Sequence, residues 1–170
     1  LNLQSDILVV EDESRTIGRL VIPDMIFQRM KKEHLVILDV PFEIRLNNIY
    51  DEYITSPLNN GVSHSQLRDS LIHSLLKIKN RLGEQHFTTI YNKIEHSFSK
   101  YKKTASHKAW ISDLLKYYYD PIYDYQLTQK DHRCVFRGDS QDVMDFFNYH
   151  SKKDITENNI TKALSGPSGT

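Results

Sequence analysis

A single cysteine, Cys134, in 170 residues leaves this chain without an internal disulfide and without the partners of a cysteine zinc site. A reducing compartment fits such a chain, and the cytoplasm is its expected location. No stretch approaches the roughly 18 consecutive apolar residues that a membrane-spanning helix needs. The first residues, Leu1-Asn2-Leu3-Gln4-Ser5-Asp6, are not a basic stretch followed by an apolar one, which disfavours secretion and membrane insertion. No Gly-x-x-x-x-Gly-Lys-Ser/Thr loop occurs; without it the chain by itself cannot wrap a nucleotide phosphate in backbone amides in the P-loop manner. A convincing nucleophile is missing as well, because Cys134 falls in an apolar strand pattern where a packing thiol is the expectation. No internal repeat is visible. Net charge is also lacking, since 22 Lys/Arg offset 22 Asp/Glu.

What the chain does have is enough apolar residues to fold. Hydrophobic residues make up 39%, charged residues 26% and aromatic residues 11%, too apolar for disorder and too charged for a membrane protein. The length suits one domain with a real core. The neutral total hides a division. Residues 1–61 carry six Lys/Arg against ten Asp/Glu, a net −4; residues 62–116 carry ten against four, a net +6; residues 117–170 carry six against eight, a net −2. The middle block also holds five of the eight histidines. It could meet a polyanion on one surface while the rest stays acidic; solvated helix faces are the plain alternative.

Asp6-Ile7-Leu8-Val9-Val10 reads as a buried strand opening onto the charged run Glu11-Asp12-Glu13-Ser14-Arg15. Pro23 and Asp24 start a short helix reaching Lys32, and Leu35-Val36-Ile37-Leu38 is a second strand closed by Asp39 and Pro41. A helical pattern follows through Phe42, Ile44, Leu46, Ile49, Tyr50 and Tyr53. Ser56-Pro57-Leu58-Asn59-Asn60-Gly61 is turn-forming and marks a hinge. Beyond it Leu67, Leu71, Leu75, Ile78 and Leu82 recur at three- and four-residue steps, as do Phe87, Ile90, Tyr91, Ile94 and Phe98, then Trp110, Ile111, Leu114, Leu115 and Tyr118. These predict three amphipathic helices with a break at Gly83. Arg133-Cys134-Val135-Phe136 is a third strand leading through Arg137-Gly138-Asp139 into a last helix. From Ser151 the composition turns polar, so residues 151–170 are expected to be a flexible tail.

Three short apolar strands, each ending in an acid or a glycine and each feeding a helix, describe an open α/β sheet whose ligands gather beyond the strands' carboxyl ends. The run Glu11, Asp12, Glu13, Ser14, Arg15, Thr16, Ile17, Gly18 and Arg19 lies at such an end. Its carboxylates can hold a hydrated magnesium ion and its arginines can clamp phosphate oxygens. The alternative is a charged loop whose acids and arginines pair with one another. Asp39 with Arg45 is a weaker signal of the same kind, because acids starting helices and arginines on helix faces are common structural devices. In the middle block Arg68, Lys77, Lys79, Arg81, Lys100, Lys102, Lys103 and Lys108 alternate with His73, His86, His96, His107 and with Tyr91 and Tyr101. Such a surface could track phosphates and stack exposed bases, whereas Tyr91, Phe98 and Tyr101 also fit helical core spacing. The histidines lack metal-ligand order, so no metal site is expected. Five tyrosines in the nine residues 117–125 would cap the sheet or line a pocket.

With these residues in view the chain resembles the C-terminal part of the tRNA 2-selenouridine synthase family. The resemblance rests on Val10 to Arg19 with Pro23 after it, on Asp39-Val40-Pro41-Phe42-Glu43-Ile44-Arg45 followed by Glu52-Tyr53, and on Tyr118-Tyr119-Asp120-Pro121-Ile122-Tyr123-Asp124-Tyr125-Gln126 leading to Phe136-Arg137-Gly138-Asp139. The blocks run in family order over residues 6–149. The strand–Asp–Pro–Arg block is generic to P-loop kinase-like folds, while the Glu-Asp-Glu-Ser-Arg and Tyr-Asp-Pro-x-Tyr-Asp-Tyr-Gln blocks are distinctive.

The resemblance implies a partial P-loop-kinase-like α/β domain: a parallel sheet with a large helical portion over residues 1–150, and a basic helical insertion at about 62–116. It implies a transferase that acts on wobble 2-thiouridine of tRNA, attaching a geranyl group from geranyl diphosphate and then exchanging it for selenium from selenophosphate. Its catalytic cysteine belongs to an N-terminal rhodanese-like domain which, like the P-loop strand, this chain lacks, so the chain alone is expected to be inactive. In that fold the P-loop strand separates strands matching 7–10 and 35–38, so a gap or a rearranged sheet is expected here. Glu11, Asp12, Glu13, Ser14, Arg15, Gly18 and Arg19 become the phosphate-handling loop, with Arg15 and Arg19 as clamps. Arg68, Lys77, Lys79, Arg81, Lys100, Lys102 and Lys103 become the tRNA surface. No tightly bound cofactor is expected, and magnesium is compatible. A nucleotide-kinase-type phosphotransferase whose phosphate loop lies elsewhere, and a non-enzymatic tRNA-binding module, are the competing readings.

Overall fold

The computed structural model describes residues 8–12, 14–17, 19–99 and 105–150. The chain forms two compact units, Leu1–Val40 with Gln129–Thr170, and Pro41–Thr128. The described residues are mostly helical, with a small parallel sheet of two strands.

In the first unit, β1 (Thr16–Ile17) and β2 (Leu20–Val21) pair antiparallel as a short hairpin. Helix α1 (Asp24–Met30) follows Pro23, whose fixed φ suits a helix entry. The apolar runs at 35–38 and 134–136 become β3 (Leu35–Leu38) and β4 (Cys134–Gly138), which pair in parallel. The register runs from Leu35 opposite Cys134 and Val36 opposite Phe136 to Leu38 opposite Gly138. The shift between Leu35 and Val36 leaves Val135 as the extra residue of a bulge, and Val135 is the buried side chain of β4. Helix α8 (Ser140–His150) leaves the end of β4 and returns along the sheet, stacking Phe146 on Phe136 at 4.5 Å.

The expected strand at 6–10 is not formed by its described part. Leu8, Val9 and Val10 have no regular structure and are 76%, 59% and 53% exposed. A strand exists only where its backbone groups find a ladder partner; among the described residues β3 is paired along β4 and nothing pairs 8–10. Asp6 and Ile7 lie outside the described residues, as do Glu13, Gly18, Lys100, Lys102, Lys103 and the tail from 151.

The second unit is built from α2 (Phe42–Tyr50), α3 (Ser56–Asn59), α4 (His64–Leu82), α5 (Glu84–Ser97), α6 (Ala105–Leu114) and α7 (Asp120–Lys130), whose last two residues, Gln129 and Lys130, belong to the first unit. Two π-helical turns, Asp51–Thr55 and Leu115–Tyr119, join α2 to α3 and α6 to α7. The segment expected to be a turn is therefore helical through Asn59, and the chain reverses only at Asn60 and at Gly61, whose φ is 84°. Ser63 then starts α4 with a capping box, its Oγ accepting from Gln66 N–H while Gln66 Oε1 accepts from Ser63 N–H. Gly83 ends α4 at φ 81°, a left-handed value that favours glycine.

The periodic residues do converge. Leu46, Ile54, Leu67, Leu75, Leu82, Phe87, Ile90, Ile94, Trp110, Ile111, Leu115 and Tyr118 form one buried cluster, each large side chain contributing about 1.5–3 kcal/mol by leaving water. His107 is buried beside it, edge-on to Phe98 at 4.8 Å, and its Nδ1 faces the Trp110 Nε1–H at 3.4 Å. Burial first, and His64 second, push its imidazole pKa down. The unfolded chain therefore takes up this proton more readily than the folded one. Stability is retained above the ordinary histidine value near 6.5 and lost as pH falls from there toward the folded value. Urea unfolding between pH 7.5 and 5.5 is expected to show a slope reaching at most about 1.4 kcal/mol per pH unit from this group. His107→Phe is expected to reduce that slope, and an unchanged slope would remove His107 as its source.

Candidate functional site

Asp12 and Arg15 of the acid-and-arginine segment pair with residues elsewhere in the first unit. Asp12 Oδ2 accepts from Lys130 Nζ at 2.5 Å, and Arg133 NH2 stands 3.8 Å from Asp12 Oδ1. Arg133 is nearly buried and also donates to the carbonyls of Glu33 and Met30 at 2.9 and 2.8 Å, satisfying groups that the end of α1 leaves open. Arg15 bridges Asp24 in the first turn of α1 at 2.6 Å, with both side chains more than half exposed. Ser14 Oγ donates to the Thr16 carbonyl. Glu11 and Arg19 are exposed. Among the described residues no three His, Cys, Asp or Glu side chains are grouped so as to hold a metal ion, and Asp12 is already committed to cations.

At the carboxyl ends of β3 and β4, Arg137 forms a two-pronged bond to Asp39, Nε to Oδ2 and NH2 to Oδ1, each at 2.7 Å. The bond from Arg137 chiefly holds the Asp39 carboxyl below its ordinary pKa, against a smaller desolvation effect. Asp39 N–H also donates to the Gly138 carbonyl at 2.8 Å, extending the ladder past β3. Asp39 and Arg137 both stood at strand ends in the sequence; what joined them is the parallel pairing of runs about a hundred residues apart. Beside them Asp139 Oδ1 accepts from the N–H groups of Gln141 and Asp142, and Asp142 Oδ2 accepts from Asp139 N–H. This capping occupies the start of α8 with the chain's own carboxylates. A Cβ at Gly138 would stand 2.6 Å from Asp142 Cβ. Gly138→Ala is therefore expected to displace the cap and cost about 1–3 kcal/mol, read as a lower melting temperature by circular dichroism. An unaltered melt would show that α8 can shift freely.

In the second unit the cations of the middle block divide by their partners. Arg68 pairs with Asp69 at 2.8 Å and with Glu95 at 3.9 Å, and Asp69 chiefly raises its pKa. Lys79 pairs with Glu84 at 3.0 Å and lies over the Phe87 ring. Lys93 pairs with Asp113, and Lys108 donates to Asn47 while lying over Tyr50. Lys77 and Arg81 are exposed, form no ion pair among the described residues, and stand one turn apart on α4 with His73 one turn before them.

The tyrosine-rich segment lies in the second unit. Tyr118 enters the helical core, while Tyr117, Tyr119, Tyr123 and Tyr125 remain exposed on the π-helical turn and α7. Partial burial of its ring, then the phenols of Tyr53, Tyr118 and Tyr123, raise the Tyr119 pKa. Asp120 receives both arms of Arg45, at 2.5 and 3.1 Å, with the pair only partly exposed. That fork raises the Arg45 pKa and ties α2 to α7, 75 residues apart. The partner of Arg45 is Asp120 rather than Asp39. His86 on α5 stacks on Tyr117 with ring centres 4.2 Å apart and planes 20° apart; neither spacing nor composition pointed to that contact.

The family profile described as the tRNA 2-selenouridine synthase AAA domain matches residues 2–154, nearly the whole chain. The chain belongs to the tRNA 2-selenouridine synthase family. It is similar to the tRNA 2-selenouridine synthase of Shewanella oneidensis, 31% identical over 163 residues that make up 90% of this chain and 43% of that protein. The synthase of Psychromonas ingrahamii is 34% identical over 85% of this chain and 42% of its own length, and that of Salmonella typhi 34% over 79% and 40%. The chain thus spans about two-fifths of the length of these tRNA 2-selenouridine synthases. No solved structure matches it. Among the described residues no helix is long and apolar enough to cross a membrane.

Proposed function

We propose that this chain is part of a cytoplasmic tRNA-modifying transferase that converts wobble 2-thiouridine to 2-selenouridine through a geranylated intermediate, and that it contributes diphosphate and tRNA binding. The observation that carries this reading is the match of the synthase AAA-domain profile over residues 2–154. The substrates are tRNA, geranyl diphosphate and selenophosphate. The nucleophilic cysteine and the phosphate-wrapping loop belong to parts of the longer relatives that this chain does not contain, and the β3–β4 pair with its following helices belongs to the same P-loop-like sheet.

Arg15 and Arg19 receive the diphosphate or selenophosphate in this reading, with Glu11, Asp12, Glu13, Ser14 and Gly18 shaping the loop around them. Two features support the assignment. Arg19 is exposed and has no ion pair among the described residues. The exposed Arg15–Asp24 bridge is of a kind worth only about 0–1 kcal/mol, so an incoming anion can exchange with Asp24. Asp12 acts indirectly, fixing the start of the loop through Lys130 and Arg133.

The test uses the full-length synthase that contains this chain, with tRNA nucleosides analysed after incubation with geranyl diphosphate and then selenophosphate. The wild type is expected to yield geranylated and then selenated uridine. Arg15→Ala is expected to raise the KM for geranyl diphosphate about tenfold, the effect of one charge-assisted clamp. Unchanged kinetics would take Arg15 out of the site. ATP turnover without tRNA and without either product would favour the phosphotransferase reading instead.

A further inference from the structure

In the second unit a stacked aromatic pair, His86 and Tyr117, stands partly outside the helical core. Tyr117 sits in the π-helical turn Leu115–Tyr119, an insertion frequent at functional sites. Its neighbours Leu115 and Tyr118 are buried, while Tyr117 itself is 49% exposed and lies against His86 with the 4.2 Å, 20° stacking geometry. His86 is anchored in the same way, because Phe87 beside it is buried. Both rings are thus fixed to the core through an adjacent residue, and holding them flat needs little further ordering.

Charge around this pair favours a polyanion. Three carboxylates close to these rings along the chain each have a cation of their own: Glu84 has Lys79, Asp113 has Lys93 and Asp120 has Arg45. Arg81 precedes Gly83 by two residues and His86 follows it by three, with Lys77 one turn back on α4. Neither Lys77 nor Arg81 has an ion pair among the described residues, and Lys116 next to Tyr117 touches only the Phe42 ring among the contacts described. A stacked, partly exposed aromatic pair with cations close by along the chain that form no ion pair among the described residues has the chemistry of a single-stranded nucleic-acid platform: the ring stacks a base, and the cations meet its phosphates.

We infer that the His86–Tyr117 stack is the platform on which an unpaired base of the RNA substrate rests, flanked by Lys77, Arg81 and Lys116. The inference rests on the tRNA reading and narrows it to unpaired nucleotides, since every base has a stacking face but only an unstacked one can present it.

The experiment compares the 170-residue chain with Tyr117→Ala, Tyr117→Phe and His86→Ala, titrated against a fluorescent RNA stem–loop and against a duplex of the same stem. Tyr117→Ala is expected to weaken stem–loop binding about tenfold and leave duplex binding unchanged; Tyr117→Phe, which keeps the ring, is expected to bind as wild type, and His86→Ala to fall between. Melting curves confirm that each variant is folded. Equal stem–loop affinity for wild type and Tyr117→Ala overturns the stack and leaves the tRNA reading standing, as does an equal loss on both RNAs. A wild-type chain that binds neither RNA overturns the RNA-binding role of this portion and the stack with it.

Discussion

Reversing the two exposed cations of α4 in Lys77→Glu with Arg81→Glu is expected to lower tRNA affinity by tenfold or more at moderate salt. The reason is electrostatic and independent of sequence readout. Each phosphate met by a lysine or arginine releases condensed counterions, so losing two such contacts reduces the slope of log affinity against log salt by about 2. Reversal adds repulsion to the loss. Neither residue has an ion pair to break among the described residues, and both are exposed, so folding stability is expected to stay within about 0.5 kcal/mol. Binding measured at several salt concentrations separates the effect from a local one, because the variant and wild type converge as salt rises. The exposed pair Lys31 and Lys32 of the first unit, reversed in the same way, serves as the comparison. Equal affinity and equal slope for the α4 variant would take this helix face out of the tRNA surface.

Removing Trp110 tests the other half of the account, that the helical unit is held by one shared core. Trp110 is 3% exposed and packs in the cluster with Ile90, Ile94, Ile111 and Leu115, with its indole N–H facing His107. Trp110→Ala is expected to cost about 3–5 kcal/mol, from lost burial plus the cavity that the neighbours cannot refill. Against a typical total of about 5–15 kcal/mol, that loss brings the unit near unfolding. Urea unfolding followed by far-ultraviolet circular dichroism measures it, since the variant has no tryptophan left to report. A cost under about 1 kcal/mol would mean that α5 and α6 repack without the indole. Tyr117→Ala, at a half-exposed ring, is expected to move the same curve by less than about 1 kcal/mol, which separates the platform from the core.

The candidate site was only partly legible in the residues. The concentration of acids and arginines between Glu11 and Arg19 is visible in the order of the chain, and so is the stripe of His73, Lys77 and Arg81 at four-residue steps. Their partners were not. Asp12 is claimed by Lys130, 118 residues away, and Arg15 turns to Asp24. Asp39 reads equally well as a helix-starting acid; its fork to Arg137 appears only when β3 and β4 are side by side. The tyrosine-rich stretch from Tyr118 to Gln126 announced itself by composition, yet its members have unlike roles: Tyr118 is core, Asp120 an anchor for Arg45, and Tyr123 solvent-facing.

Most of the helix content and the ends of α4 follow from local order alone, although the turn-forming residues 56–59 are helical. Leucines and isoleucines at three- and four-residue steps write one apolar stripe each for α4, α5 and α6, Ser63 with Gln66 starts α4, and Gly83 stops it because it accepts a φ of 81°. The apolar runs at 35–38 and 134–136 became strands, while Leu8–Val10, of the same character, did not. A helix closes its hydrogen bonds within four residues, so neighbouring positions suffice to specify it; a strand closes them on another segment, whose arrival is a property of the whole chain. The same holds for ion pairs and ring stacks. Which residues carry charge or a ring is written along the chain, but what each one faces was decided by tertiary structure.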